Sequence, residues 1–310
     1  MQPIVIDTDM GVDDALAIML ALNSPEVELM GLTTVAGNVP LEQGTRNALQ
    51  VLELQGRDDI PVYMGAVTPL ERMPVDAQIV HGLQGLGEAE LAEPQMLPAG
   101  RAVDYLIDEI MTRPGEVVIV AMGPLTNLAL AEQKSPGILN CARRVIAMGG
   151  ALWCGGNVTE TSEFNSFADP HALRALVQAD VNLTLVPLDV TQKLQLLESD
   201  LVVALSDRKD KIAKFISDST RSVIAYEKEH AGFSGLYLHD PAVVALIVEP
   251  KLFETKTIWI DVDTSEEKAG QVLLHDEEAE GAYPVEFAID VDVDRFMIAF
   301  KRRVLDAITD

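Results

Sequence analysis

Four aspartates fall within the eight residues DTDMGVDD, at Asp7, Asp9, Asp13 and Asp14, directly behind the apolar run Pro3-Ile4-Val5-Ile6. Carboxylates packed that closely repel one another, and they stay ionised together only where a cation or solvent compensates them. Two or three aspartates converging on one point offer the oxygen ligands that calcium or magnesium takes, and suit zinc less well. Helix capping and first-turn charge explain one or two of the four. Gly11 reads as the residue of a tight turn. If Asp13 and Asp14 open a helix they point about 100° apart and can do different jobs.

A metal site needs ligands from more than one segment. Five further stretches place polar or small residues where a strand gives way to a loop or helix: Thr33 to Asn38, Met122 to Asn127, Met148 to Gly150, Gly155 to Asn165, and His239-Asp240-Pro241. Each alone has a plain structural reading, with Asn38 as a turn residue, Gly149-Gly150 as a bend and Asp240 as a cap before proline. Their joint occurrence with the aspartates suggests one shared rim.

The elements that would build this rim alternate along the chain. Pro3 to Asp7 reads as strand, Val12 to Leu22 as helix, Val27 to Val35 as strand and Leu41 to Gln55 as helix. Arg101 to Thr112 reads as helix, Glu116 to Ala121 as strand, Pro124 to Glu132 as a short helix with proline in its first turn, and Arg143 to Met148 as strand. Asp169 to Gln178 and Val181 to Val186 repeat the unit. Such alternation predicts an α/β fold with a mostly parallel central sheet flanked by helices, and ligands at the carboxyl ends of its strands. After Glu198 longer helical stretches follow, Asp207 to Lys228 and Asp240 to Ile247, then a strand from Thr255 to Val262 and a C-terminal helix. This reads as one α/β domain over residues 1–310 with additional C-terminal helices.

Composition sets the chemical setting. The 310 residues are 48% hydrophobic, enough for a sizeable core, and carry 49 Asp and Glu against 23 Lys and Arg, for a formal net charge of -26. Such a surface repels nucleic acid phosphates and anionic membranes, so neither is expected as a partner. No apolar run reaches membrane-spanning length, and no secretory signal is expected from an N-terminus that enters the apolar run directly. Cys141 and Cys154 form neither a disulfide framework nor a metal-ligand spacing, which fits a reducing, cytoplasmic setting.

With these motifs in view, the sequence resembles the inosine-uridine preferring nucleoside hydrolases. That family carries DxDxGxDDA, matched by Asp7, Asp9, Gly11, Asp13, Asp14 and Ala15. Blocks similar to the family's follow in order through nearly the whole chain: TTVAGN at 33–38, HGLQGLG at 81–87, GPLTNLA at 123–129, MGG at 148–150, GGNVTETSEFN at 155–165 and HDP at 239–241. The resemblance implies calcium-dependent hydrolysis of the N-glycosidic bond of ribonucleosides, giving free base and ribose. It implies calcium held by Asp9, Asp14, Asp240 and the main-chain carbonyl of Met122, where the family usually has threonine. Asp13 would take a proton from a water whose acidity the cation increases. Asp7 would orient the site from behind. Asn38, Asn157, Glu163 and Asn165 would bind ribose hydroxyls, and Met148 would line the ribose pocket. The family usually forms homodimers or homotetramers.

A departing base needs a proton or strong hydrogen bonds, and His239 and His81 are the two family-matched histidines. His239 is assigned to catalysis and His81 to substrate binding. Tyr226 to Tyr237, YEKEHAGFSGLY, has the aromatics and glycines of a flap that stacks on a base, or of an ordinary helix end. Trp153 and Phe164 suit stacking or core equally. These residues do not choose between purine and pyrimidine. Two other readings compete. A haloacid dehalogenase-like phosphatase also opens with a strand and DxD, but its motif does not continue into Gly11 and Asp13-Asp14. A nucleoside-binding protein without catalysis would not need Asp13.

Overall fold

The computed structural model describes residues 1–306. Strand β1 (Gln2–Thr8) leads into α1 (Val12–Leu22), β2 (Val27–Thr34), α2 (Leu41–Leu54), β3 (Val62–Met64), α3 (Gln78–His81), β4 (Gly100–Arg101) and α4 (Ala102–Thr112). The next part of the chain forms β5 (Val118–Ala121), α5 (Thr126–Lys134), β6 (Arg144–Met148), α6 (Phe164–Ala168), α7 (Pro170–Gln178), β7 (Leu183–Val186) and α8 (Leu188–Thr191). Then come β8 (Gln195–Leu197), α9 (Glu198–Leu205), α10 (Lys211–His230), β9 (Gly235–Tyr237) and α11 (His239–Val248). The chain closes through β10 (Phe253–Val262), β11 (Val272–His275), β12 (Tyr283–Val291) and α12 (Val293–Phe300).

Ten strands form one sheet in the order β11-β10-β12-β7-β6-β5-β1-β2-β3-β4. β1 is central because it is apolar on both faces: Ile4, Val5 and Ile6 are all fully buried, as a strand flanked by parallel neighbours requires. Successive side chains alternate faces. Ile4 and Ile6 therefore join the core packed against α1 and α11, while Val5 joins the core beneath α4, α5 and α7. From β1 the chain moves outward through β2, β3 and β4, then returns to β5 on the other side of β1 and moves outward again through β6 and β7. A sheet whose order reverses in this way opens a crevice between the diverging loops at the carboxyl ends of β1 and β5.

The mostly parallel sheet and its flanking helices are as the alternation predicts. After Glu198 the expected helices are α10, α11 and α12 and the strand over Thr255 to Val262 is β10, while β11 and β12 are additions: β12 pairs parallel with β7 and antiparallel with β10, which pairs with β11. Helix α5 begins at Thr126, so Pro124 lies in the loop before it and not in its first turn. Among the described residues, no helix is long and apolar enough to cross a membrane.

Candidate active site

The first loop of the crevice is shaped by its own hydrogen bonds. Asp7 lies within β1, opposite Thr33 of β2 and Ala121 of β5. Asp9, Met10 and Gly11 then turn the chain into α1. Met10, not Gly11, takes the left-handed conformation, with φ 49, whereas Gly11 has φ -84. Glycine is required there for proximity: a Cβ at position 11 would lie 2.6 Å from Asn38 Nδ2 and 2.8 Å from His81 Nδ1.

Asp14, in the first turn of α1, reaches back over this loop. Its Oδ2 accepts the Gly11 N–H at 2.7 Å and Asn38 Nδ2–H at 3.1 Å, and its Oδ1 accepts the Thr8 hydroxyl. Asn38 also grips Asp9, through its backbone N–H to Oδ2 at 2.7 Å and Nδ2 to Oδ1 at 3.1 Å. One asparagine thus bridges two aspartates. Behind them, Asp7 Oδ1 accepts from the Thr33 hydroxyl and from Asn127 Nδ2, the latter at 2.7 Å, while Oδ2 is buried without a hydrogen-bond partner.

Helix α11 brings Asp240 to the same point from 226 residues beyond Asp14 in sequence. Carboxylate oxygens of Asp13, Asp14 and Asp240 lie within 4.8 Å of one another, all in buried side chains. Burial raises each of them above the ordinary aspartate range, Asp13 to about 6, and mutual repulsion adds to the effect for Asp14 and Asp240. Asp9 is raised well above its usual value for the same two reasons, and burial brings Asp7 to about 7. Five buried carboxyls with no lysine or arginine among their hydrogen-bond partners call for a cation. The donor set is all oxygen, as a hard divalent ion requires.

A cavity of about 670 Å³ opens over this cluster. Asp13, Asn38, Met122 and Asp240 line it, whereas Asp9 and Asp14 lie behind that lining. Met148, Asn157, Glu163, Asn165, His81 and His239 line it as well. The polar groups are held in place. Glu163 caps α6, its Oε1 accepting the Asn165 N–H and its Oε2 the N–H groups of Gly150 and Ser166. Asn165 Nδ2 donates to the Met122 carbonyl at 2.7 Å and to the Met148 carbonyl at 3.3 Å, and its Oδ1 accepts no protein hydrogen bond among the described residues. Asn157 Oδ1 accepts the Phe164 N–H at 2.9 Å, which keeps its Nδ2 as the free donor.

The two histidines are also oriented. The N–H of Val12 donates to His81 Nδ1 at 3.1 Å, so the neutral ring carries its proton on Nε2. His239 Nδ1 lies 2.7 Å from the Thr191 hydroxyl. Burial lowers both rings to about 4, so at neutral pH they are uncharged hydrogen-bonding groups and not cations.

The far side of the cavity comes in part from the Tyr226 to Tyr237 segment and in part from residues that motif reading passes over. Val223, Tyr226, Glu227 and His230 of α10 line it together with Gln192 and Phe167. Their spacing on α10, three and four residues apart, marks one helix face and is the signal by which they could be found. Tyr226 and His230 stack with ring centroids 4.0 Å apart. The segment Tyr226 to Tyr237 is therefore the last turns of α10, a short turn and β9, which pairs with β8. Phe164 lines the cavity, whereas Trp153 lies off it and is 64% exposed. No lysine or arginine lines the cavity among the described residues.

Fold and site together define an α/β enzyme with a carboxylate centre at the sheet's switch point. The inosine-uridine preferring nucleoside hydrolase family matches residues 4–298. A uridine nucleosidase of Arabidopsis thaliana is 37% identical over 275 residues, covering 88% of this chain and 82% of that protein. A pyrimidine-specific ribonucleoside hydrolase of Salmonella paratyphi C is 38% identical over 264 residues, covering 84% of each. The solved structure of a purine-preferring ribonucleoside hydrolase from Gardnerella vaginalis superposes with a TM-score of 0.92 at 34% identity, covering 98% of both chains. The chain belongs to the inosine-uridine preferring nucleoside hydrolase family, and is an enzyme that hydrolyses nucleosides.

Proposed function

We propose that residues 1–310 act as one catalytic domain that cleaves the N-glycosidic bond of ribonucleosides to free base and ribose, with calcium as cofactor. The observation that carries this reading is the set of three buried carboxylates within 4.8 Å of one another at the floor of the cavity. Asp9, Asp14, Asp240 and the carbonyl of Met122 are the calcium ligands in this reading, and Asp7 braces them from behind. Bound calcium neutralises the clustered charge and makes nearby water more acidic.

Asp13 is the aspartate of the first motif that lines the cavity, and it serves as general base. It takes the proton of a water molecule whose oxygen attacks the anomeric carbon. As that bond forms the carbon–nitrogen bond breaks, and its electron pair leaves with the base. Positive charge that develops on the ribose is stabilised by the surrounding carboxylates. Asn38, Asn157, Glu163 and Asn165 bind the ribose hydroxyls beside Met148, their remaining donors and acceptors fixed by the bonds described above. His239 donates a hydrogen bond to the departing base, and His81 presents Nε2–H to the substrate. A neutral His239 acts as an N–H donor, and the base completes its protonation from solvent.

Relatives of similar identity carry names specifying pyrimidine and purine preference, so overall likeness does not choose the base. Two exposed free cysteines fit a reducing, cytoplasmic setting, and assembly as a homodimer or homotetramer is proposed from the family's habit alone.

Release of reducing sugar from inosine, adenosine, uridine, cytidine and 2'-deoxyinosine, before and after chelation, tests the reading. Expected are cleavage of ribonucleosides, loss on chelation, recovery with added calcium, and about 10⁴-fold slower cleavage of the deoxynucleoside, whose missing hydroxyl leaves buried polar groups unpaired. Full activity in chelated protein would overturn the calcium assignment. Equal rates on inosine and 2'-deoxyinosine would overturn the ribose contacts.

A further inference from the structure

Helix α8 contains no residue of the motifs that define the site, yet it touches two of the site's walls. The loop from Gly150 to Ser162 joins β6 to α6 and carries Asn157 into the cavity. Its first part is poorly packed: Trp153 is 64% exposed and Cys154 is exposed too. Three consecutive N–H groups of this stretch nevertheless end on one carboxylate. Asp189 Oδ2 accepts from Leu152 at 2.8 Å, and Oδ1 accepts from Trp153 at 2.8 Å and Cys154 at 3.1 Å.

The platform beneath this carboxylate is rigid. Leu188 and Val190, on either side of Asp189, are fully buried, and the Leu188 N–H donates to the Gly150 carbonyl at 3.0 Å, tying the helix to the root of the same loop. Two residues after Asp189, the Thr191 hydroxyl meets His239 Nδ1 at 2.7 Å. One short helix therefore holds the loop bearing Asn157 on one side and the imidazole of His239 on the other.

We propose that Asp189 is a positioning residue for the ribose subsite: by gathering the N–H groups of Leu152, Trp153 and Cys154 it sets the loop from which Asn157 reaches the substrate. Asp189 touches no reacting atom in this arrangement and acts through the loop. A charged acceptor holds three amides that packing leaves free, and such bonds are the stronger kind. Thr191 performs the corresponding task for His239. The two residues should consequently differ in kinetic signature, Asp189 acting on substrate affinity and Thr191 on the chemical step.

The inference rests on the ribose reading of Asn157 given above, so its test has a readout independent of turnover. Amide hydrogen exchange of the segment 151–158 is measured in the calcium-replete full chain for the wild type, Asp189→Asn and Asp189→Ala. Exchange should be slowest in the wild type, intermediate in the asparagine variant, which keeps one acceptor oxygen, and fastest in the alanine variant. KM for inosine or uridine should rise in the same order, to about ten- to a hundredfold in Asp189→Ala, with kcat changing far less. Thr191→Val should lower kcat and leave both KM and exchange at 151–158 unaltered. Combined with Asn157→Ala, Asp189→Asn should add little further increase in KM, because both act on one contact.

Unchanged exchange in Asp189→Ala would overturn the anchoring. Faster exchange with unchanged KM, or full additivity with Asn157→Ala, would overturn the link to the ribose. If the wild type cleaves no nucleoside, the proposed reaction is wrong; exchange then decides the anchoring, and equilibrium binding of inosine to the wild type and Asp189→Ala takes the place of KM.

Discussion

The two sides of the cavity are built by different means. Its floor comes from loops that follow β1, β2 and β5 and from the start of α11, and asparagines tie it together: Asn38 bridges Asp9 and Asp14, Asn127 bonds Asp7, and Asn165 bonds the Met122 carbonyl. The opposite side comes from one face of α10 and from Gln192, with Glu227 half-buried and Tyr226 stacked on His230. The asparagines of the floor are fixed by several bonds each, while Asp7 Oδ2 is left without a partner. The α10 face is a helix surface on which side chains can be exchanged at little cost to the fold, so it is the side on which to test base preference.

The largest expected effect is on the floor. Asp13→Asn keeps the shape and removes the base, so kcat for any ribonucleoside should fall by about 10²- to 10⁴-fold, with calcium affinity retained because the proposed ligands are untouched. Single-turnover rates and a calcium titration of the variant check both halves. A variant with wild-type kcat would remove Asp13 from the chemistry, and one that no longer binds calcium would make it a ligand.

A smaller effect is expected on the α10 face. Glu227 offers only acceptor oxygens when ionised, although burial raises its pKa, and a glutamine in its place adds a donor. Glu227→Gln should change the ratio of kcat/KM between inosine and adenosine, or between uridine and cytidine, by about tenfold, the scale of one or two hydrogen bonds. Sugar release from all four, in parallel with the wild type, measures it. An unchanged ranking would place base recognition elsewhere, whereas loss of calcium dependence would show that Glu227 acts on the carboxylate floor, whose Asp13 already repels it.

The same contrast governs what could be read from the sequence. Four aspartates in eight positions behind an apolar strand are legible because nothing in ordinary helix or strand construction needs them together, and the parallel sheet is legible because β1 is apolar on both faces. The α10 residues are legible only in part. The aromatics and glycines from Tyr226 to Tyr237 mark that segment for contact with a base, but which face of the helix turns Val223, Tyr226, Glu227 and His230 into the cavity depends on its neighbours. Strands β3, β4, β8 and β9 are two or three residues long, too short for any periodicity to register. β12 is legible in principle, since Tyr283, Val285, Phe287, Ile289 and Val291 alternate with Pro284, Glu286 and Asp290 in the period of a half-buried strand, but the expectation of helix at the C-terminal end passes over it. Gly11 taught a subtler point, because a glycine suggests a left-handed turn, while the structure gives that conformation to Met10 and uses Gly11 for its lack of a side chain.

The smallest effect is on stability and separates the floor from everything else in the molecule. In cation-free protein burial raises Asp7 to about 7 and Asp13 to about 6, above the ordinary aspartate value of 3.8, so the folded state holds protons that the unfolded state has released. Their protonation favours the fold at low pH, and the advantage is lost as pH rises through those values. His81 and His239 act in the opposite sense. Their folded values of about 4 lie below 6.5, so they cost stability as pH falls beneath 6.5. Asp9, Asp14 and Asp240 are raised as well, so cation-free protein should gain thermal stability on acidification from pH 8, with the two histidines opposing part of the gain below about 6.5. Calcium reverses the first trend, since it binds the ionised carboxylates and loses affinity as they take up protons. The rise in melting temperature that calcium produces should be larger at pH 8 than at pH 6. Paired melts with calcium and with chelator at both values measure the difference, and a calcium effect that is equal or larger at pH 6 would show that the buried aspartates are not where the ion binds.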